Sequence, residues 1–299
     1  MQSIAIIALL GASILWGLTW LPLKFLHEQG FNGIAITFLV YLIMFAITIP
    51  LIWRFRKEIA GNWPALLGIM LLGGGAQLAF NTSMIFGDVI RVMVLFYLVP
   101  LWGVLGGRLF LGEQITPFRW LGMGLSIIGA FLVVGGMNAF YSPPSWIDGL
   151  ALLSGFLFAM NNIVFRASSK VPVMLKLNFM FLGAAVLALM AFSQLDEQVI
   201  PEVSFNIWLT LLAFAVLWVL LANLGTQWAV TQMEAGKSSI ILILELVTAV
   251  VSASFILGET MDGLEMLGGV LILVAALLET IPQKSKPEKP HQNGEVSSL

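Results

Sequence analysis

The apolar positions of this chain do not alternate; they run on for whole helices. A helix of about 20 mainly apolar residues crosses a bilayer. Cutting the sequence at charges, prolines and polar clusters leaves ten such stretches: 4–24, 34–53, 64–86, 91–111, 118–137, 147–166, 173–193, 206–231, 238–257 and 263–281. Spans 3 and 4 are separated only by Gly87-Asp88-Val89-Ile90. The pattern predicts an all-α polytopic membrane protein with ten transmembrane helices. Residues 282–299 carry Pro282, Lys284, Lys286, Pro287, Glu288, Lys289 and Pro290, too polar a set to bury a core, and are expected to form a disordered cytoplasmic tail. The first apolar stretch lacks a basic leader and a small-residue cleavage site, so it reads as a retained helix.

Composition narrows the function classes. The chain is 59% hydrophobic and 10% charged, against roughly 25% charge in soluble domains. A net charge of −2 gives no reason to expect a nucleic-acid partner. There is no cysteine, hence no thiol chemistry, and the two histidines, His27 and His291, are placed in a loop and in the tail, which argues against a histidine metal centre. No cofactor is expected. The expected partners are a small-molecule substrate and the lipid bilayer, with the chain acting as a monomer.

Charge also orients the spans. Arg54, Arg56, Lys57, Arg108, Arg119, Arg166, Lys170, Lys176, Lys237, Lys284, Lys286 and Lys289 fall on the side that holds both termini; only Lys24 and Arg91 fall on the other. Basic residues mark cytoplasmic loops, so both termini are expected in the cytoplasm. Asp148, Asp196, Glu197, Glu202, Asp262 and Glu265 face outward.

The chain also echoes itself. Leu111-Gly112-Glu113 returns 146 residues later as Leu257-Gly258-Glu259, and Leu121-Gly122 as Leu267-Gly268. The same offset pairs Asp88 with Glu234 and Arg91 with Lys237. Residues 1–140 and 141–281 thus read as two five-span repeats. Five is odd, so the second repeat starts from the opposite face and the two are inverted.

These residues resemble the drug/metabolite transporter superfamily, specifically its EamA-like ten-helix branch. The resemblance rests on Trp16-Gly17, on Pro100, on the two Leu-Gly-Glu segments and on the Leu-Gly-rich helix after each. The Glu-Pro often found in the ninth helix of such proteins stands here as Glu245-Leu246, without the proline. The resemblance implies transport of small metabolites, amino acids or related neutral or cationic compounds, usually outward and by alternating access. The expected location is the inner membrane of a bacterium. The alternative is a non-transporting scaffold or receptor, for which the short loops leave little surface. An intramembrane enzyme would need paired acids, a nucleophile with its base or a metal cluster at depth, and the sequence offers none.

Glu245 is the sharpest site candidate. An acid in the middle of a span is costly and marks function by default, and it could take up and release a proton during a cycle. Gln77 and Asn81 are i,i+4 in span 3, and the 146-residue offset maps them onto Asn223 and Gln227 in span 8. Amides in matching places of both halves suit a cavity between repeats; the bland alternative is hydrogen bonding between helices. Trp16, Tyr97 and Asn162 complete the expected substrate-binding set, and Asn161, adjacent to Asn162, cannot face the same way. Lys24, Asp88, Arg91, Arg166, Glu234 and Lys237 are candidate gating or structural charges, with Asp88/Arg91 and Glu234/Lys237 as i,i+3 pairs. Glu113 and Glu259 are expected to satisfy backbone amides near the short turns.

Overall fold

The computed structural model describes residues 2–112, 115–134, 136–137, 144–194, 201–232 and 235–279. Glu113, Glu234 and the tail expected at 282–299 lie outside the described residues, and Lys237 lies where no side chains are described. Every described element is a helix: α1 Gln2–Gly17, α2 Trp20–Glu28, α3 Gly33–Arg54, α4 Arg56–Phe86, α5 Val89–Phe96, α6 Val99–Leu111, α7 Pro117–Val133, α8 Trp146–Ala167, α9 Val173–Phe192, α10 Phe205–Ala213, a π-helical stretch Phe214–Leu220, α11 Leu221–Thr231, α12 Ala235–Leu257 and α13 Gly263–Glu279. Among the described residues seven helical stretches are long and apolar enough to cross a membrane, and Pro117–Val133, Ile241–Leu257 and Gly263–Leu278 are shorter apolar helices. His27 falls in the last turn of α2 rather than in a loop.

Large apolar side chains cover the outside, with Phe255 at 87% and Leu109 at 76% exposure. Such surface is stable facing lipid and not facing water. The helix ends explain part of the internal echo. Gly112 and Gly258 both hold positive φ, 68° and 70°, the left-handed conformation that stops a helix and that glycine adopts without strain. The repeated glycine is therefore a helix stop, once after α6 and once after α12.

Three of the spans are interrupted, and each interruption has a partner. Pro100 has no N–H to give the Phe96 carbonyl, so α5 and α6 part at Tyr97-Leu98. The Phe96 oxygen rests against Gly155, where a Cβ would come within 2.6 Å. Between α1 and α2 the Thr19 amide bonds Trp16 rather than Leu15. The Leu15 carbonyl instead accepts from Thr19 Oγ1 and, at 2.8 Å, from Trp218 Nε1 in the π-helical stretch. Side chains replace the lost ladder bonds, as the membrane interior requires.

Packing crosses between the two parts of the chain. α4 packs on α8 and α9, α3 on α9, α1 on α11 and α12, and α5 and α6 on α8. α7 and α13 lie along each other in opposite directions: Gly122 opposes Ala275, and Gly129 opposes Gly268 so closely that a Cβ on either glycine would lie 2.6 Å from the other's carbonyl oxygen. Small residues allow this approach where no water drives association.

Candidate functional site

A cavity of about 430 Å³ lies among α1, α4, α6, α8, α11 and α12. Trp16, Gln77, Tyr97, Asn162, Asn223, Gln227 and Glu245 all stand in its wall. The interruption in α5–α6 brings Tyr97 there, and Gly17 brings Trp16 close, because a Cβ at Gly17 would lie 2.5 Å from the Glu245 backbone oxygen. The Trp-Gly pair thus has divided labour: the ring faces the cavity and the glycine seats α1 on α12.

Asn81 is not in that wall. It donates through Nδ2 to Thr37 Oγ1 at 3.2 Å and is 5% exposed. One helical turn from Gln77 reaches α3 instead of the cavity, so this amide bonds between helices and stands outside the chamber wall. Gln77 itself accepts from the Tyr41 hydroxyl at 2.7 Å. Trp16 Nε1 donates to Thr226 Oγ1 at 3.3 Å, and Asn223 Nδ2 to the Val219 carbonyl at 2.9 Å. These bonds fix the wall's polar groups in place.

Glu245 is the one acid in the wall among the described residues. Its carboxyl lies against the Tyr97 hydroxyl, which itself donates to the Leu242 carbonyl at 2.9 Å. A phenol has one proton to give. A neutral Glu245 can donate to the Tyr97 oxygen and leave the Leu242 bond in place; an ionised Glu245 competes for that same proton.

The sequence reading missed several wall groups. Asn161 lines the cavity with Asn162, next to Gly73, although adjacent helical residues diverge by about 100°. Phe80, Phe96, Phe158 and Phe165 supply further rings, hidden in the sequence among many apolar residues. Arg119 and Arg166 also line it, at the start of α7 and the end of α8. The sequence places both among the basic residues of the cytoplasmic side, with Arg166 also a gating or structural candidate, and the structure brings both to the cavity wall.

The opposite end of α8 is built differently. Asp148 forms a capping box with Ser145 and takes Arg91 as a fork, Nε to Oδ1 at 2.7 Å and Nη2 to Oδ2 at 3.0 Å. Arg91 also reaches Glu265 Oε1 at 3.0 Å. Arg91 therefore serves two distant acids, and the local Asp88/Arg91 pair is not formed. The reason is the planar guanidinium: its Nε and Nη2 grip Asp148 on α8 while Nη1 is left to reach Glu265 on α13. Glu259 accepts from the Val89 and Ile90 amides at 3.0 and 2.9 Å, so it caps α5 from across the bundle. Asp88 occupies the N-cap position of α5 without capping it. Lys24 Nζ donates to the Gly87 carbonyl at 3.0 Å, closing the end of α4.

Among the described residues no group of three or more His, Cys, Asp or Glu is placed to hold a metal ion. Among the described residues the chamber combines apolar and ring side chains with amides, two arginines and one acid.

Comparison with known proteins agrees. An uncharacterized transporter of Archaeoglobus fulgidus is 19% identical over 254 residues, 85% of this chain and 89% of that protein. A solved crystal structure superposes with a TM-score of 0.62 at 17% identity, covering 94% of this chain and 97% of the other, which shows a shared fold. The sequence profile of the EamA-like transporter family matches twice, at residues 3–135 and 145–281. With its helical, lipid-facing fold and its central chamber, the chain belongs to the EamA-like transporter family, whose members are membrane transporters and not enzymes.

Proposed function

We propose that the protein exports small metabolites, amino acids or related neutral or cationic compounds, by alternating access between two inverted five-helix halves. The cavity wall carries this reading. Glu245 and the surrounding rings suit an ammonium group, and Arg119 and Arg166 suit a carboxylate at the other end of a small zwitterion.

Ten spans result when the three shorter apolar helices are counted with the seven long ones. The 17 residues of α7 reach about 25 Å, near the lower limit for a span. Inversion is supported by direction: the Lys24 end of α2 bonds Gly87 and the Asp148 start of α8 bonds Arg91, so both reach the same short stretch between α4 and α5 and the first spans of the halves run oppositely. It is supported too by reciprocal packing, since α4 on α8 is matched by α11 on α1, and α1 on α12 by α6 on α8. With the basic residues taken as the cytoplasmic side, both termini and the Arg119/Arg166 mouth face the cytoplasm, and the membrane of this proposal is the bacterial inner membrane.

Glu245 is the proposed coupling group. Taking up a proton lets it donate to Tyr97, and losing it draws the Tyr97 proton off the Leu242 carbonyl, so occupancy by a proton changes the bonding between α5–α6 and α12. The test is uptake and efflux of an amino-acid and organic-cation panel in proteoliposomes, with and without a pH step. Wild type is expected to respond to the step and Glu245→Gln is expected not to. An unchanged response in the variant removes the proton role.

A further inference from the structure

Resting on the transporter reading, we infer that Arg91, Asp148 and Glu265 form the gate that closes the cavity at the α8 N-terminal face. The cavity wall reaches Arg166, at the far end of α8, and includes none of these three residues. Asp148 and Arg166 are 18 residues apart on one helix, about 27 Å. One end of the bundle is therefore lined as a mouth and the other is tied shut.

The tie is built from three helix starts. Asp148 belongs to the first turn of α8 and Glu265 to the first turn of α13, where it exchanges bonds with Asp262 at 2.7 and 3.1 Å. Arg91 stands in the first turn of α5, which Glu259 caps. One guanidinium thus joins two carboxylates that would otherwise face each other unscreened. The Asp148 side chain is 5% exposed, against 26% for Arg91 and 22% for Glu265, so the fork is shielded on one side and wet on the other. A pair in that position is strong when formed and is released by modest separation, which is what a gate needs.

The triad has no copy at the other face. The 146-residue offset sets Lys237 opposite Arg91 and Arg119 opposite Glu265, and the 142-residue offset that pairs Lys24 with Arg166 in the first span of each half sets Ile6 opposite Asp148: two cations and an apolar residue. The two faces are accordingly closed by different chemistry, and the ion triad favours the state seen here, shut at the Asp148 face.

The absence of cysteine makes a direct test simple. Val99 lines the cavity, so Val99→Cys reports access through labelling by a membrane-impermeant maleimide, added separately to each face. The expected result is slow labelling from the Asp148 face in the otherwise native chain, and about tenfold faster labelling from that face after Arg91→Gln. Glu265→Gln keeps the Asp148 fork and is expected to give an intermediate rate. Arg91→Glu combined with Asp148→Arg is expected to slow labelling relative to Arg91→Glu alone. Folding is checked by gel filtration in detergent, and the Glu265→Gln series stands if Arg91→Gln does not fold. Equal rates from that face in all folded variants overturn the gate. The readout needs no substrate, so failure of the solute panel would count against the transporter reading and leave this result to stand or fall separately.

Discussion

The two ends of α8 show how one helix serves two different faces. At its start, Asp148 is buried, capped and paired; at its end, Arg166 opens onto a chamber. The first end holds helices together through charge, and the second holds rings and amides apart around a space. Substitutions should separate along that division: chamber variants lose flux and keep stability, clasp variants change access and stability and keep the chamber's selectivity.

The largest effect is expected at Glu245. Glu245→Gln should lower solute flux about a hundredfold, as it removes the charge and the exchangeable proton that Glu245 brings to the wall, with the thermal midpoint in detergent moved by less than about 2 °C. Flux assays beside thermal unfolding check both halves of that statement. Next comes Arg91→Gln, which leaves Asp148 shielded without its cation and should lower the midpoint by about 3 °C while substrate preference across the panel stays the same. A smaller contrast separates two amides. Asn162→Ala should raise the KM for transport about fivefold, the scale of one lost hydrogen bond, while Asn81→Ala should change KM less than about twofold and cost about 0.6 kcal/mol of stability through Thr37. The smallest effect is expected for Lys24→Met, which removes a snorkelling contact to the end of α4 and should shift the midpoint by about 1 °C or less.

Much of the fold was legible because lipid imposes a plain rule: apolar runs become helices, and their ends are written in charges and glycines. The Leu-Gly-Glu echo was visible as a repeat, but that Gly112 and Gly258 are left-handed helix stops came from the backbone. Pro100 stood in the sequence only as part of the resemblance, and the break between α5 and α6 came from the structure. The π-helical stretch Phe214–Leu220 carries no mark, since its residues are apolar like their neighbours.

The chamber was legible where polar groups interrupt apolar helices, as at Gln77, Asn223, Gln227 and Glu245. It was not legible where many equivalent residues compete, as for Phe80 and Phe158, or where helix length carries a loop charge inward, as for Arg119. The clasp was the hardest to foresee. Arg91 suggested a local pair with Asp88, yet its partners lie 57 and 174 residues away. Spacing along one helix says nothing of helix starts that the fold brings together.

The most direct measurement of alternating access is exchange in proteoliposomes. A solute found to be transported is preloaded with label, and its efflux is followed with and without the unlabelled solute on the far side. A carrier whose reorientation is faster when loaded gives efflux several-fold quicker with solute on the far side. Efflux that ignores the far side, or that matches empty liposomes, would contradict the account.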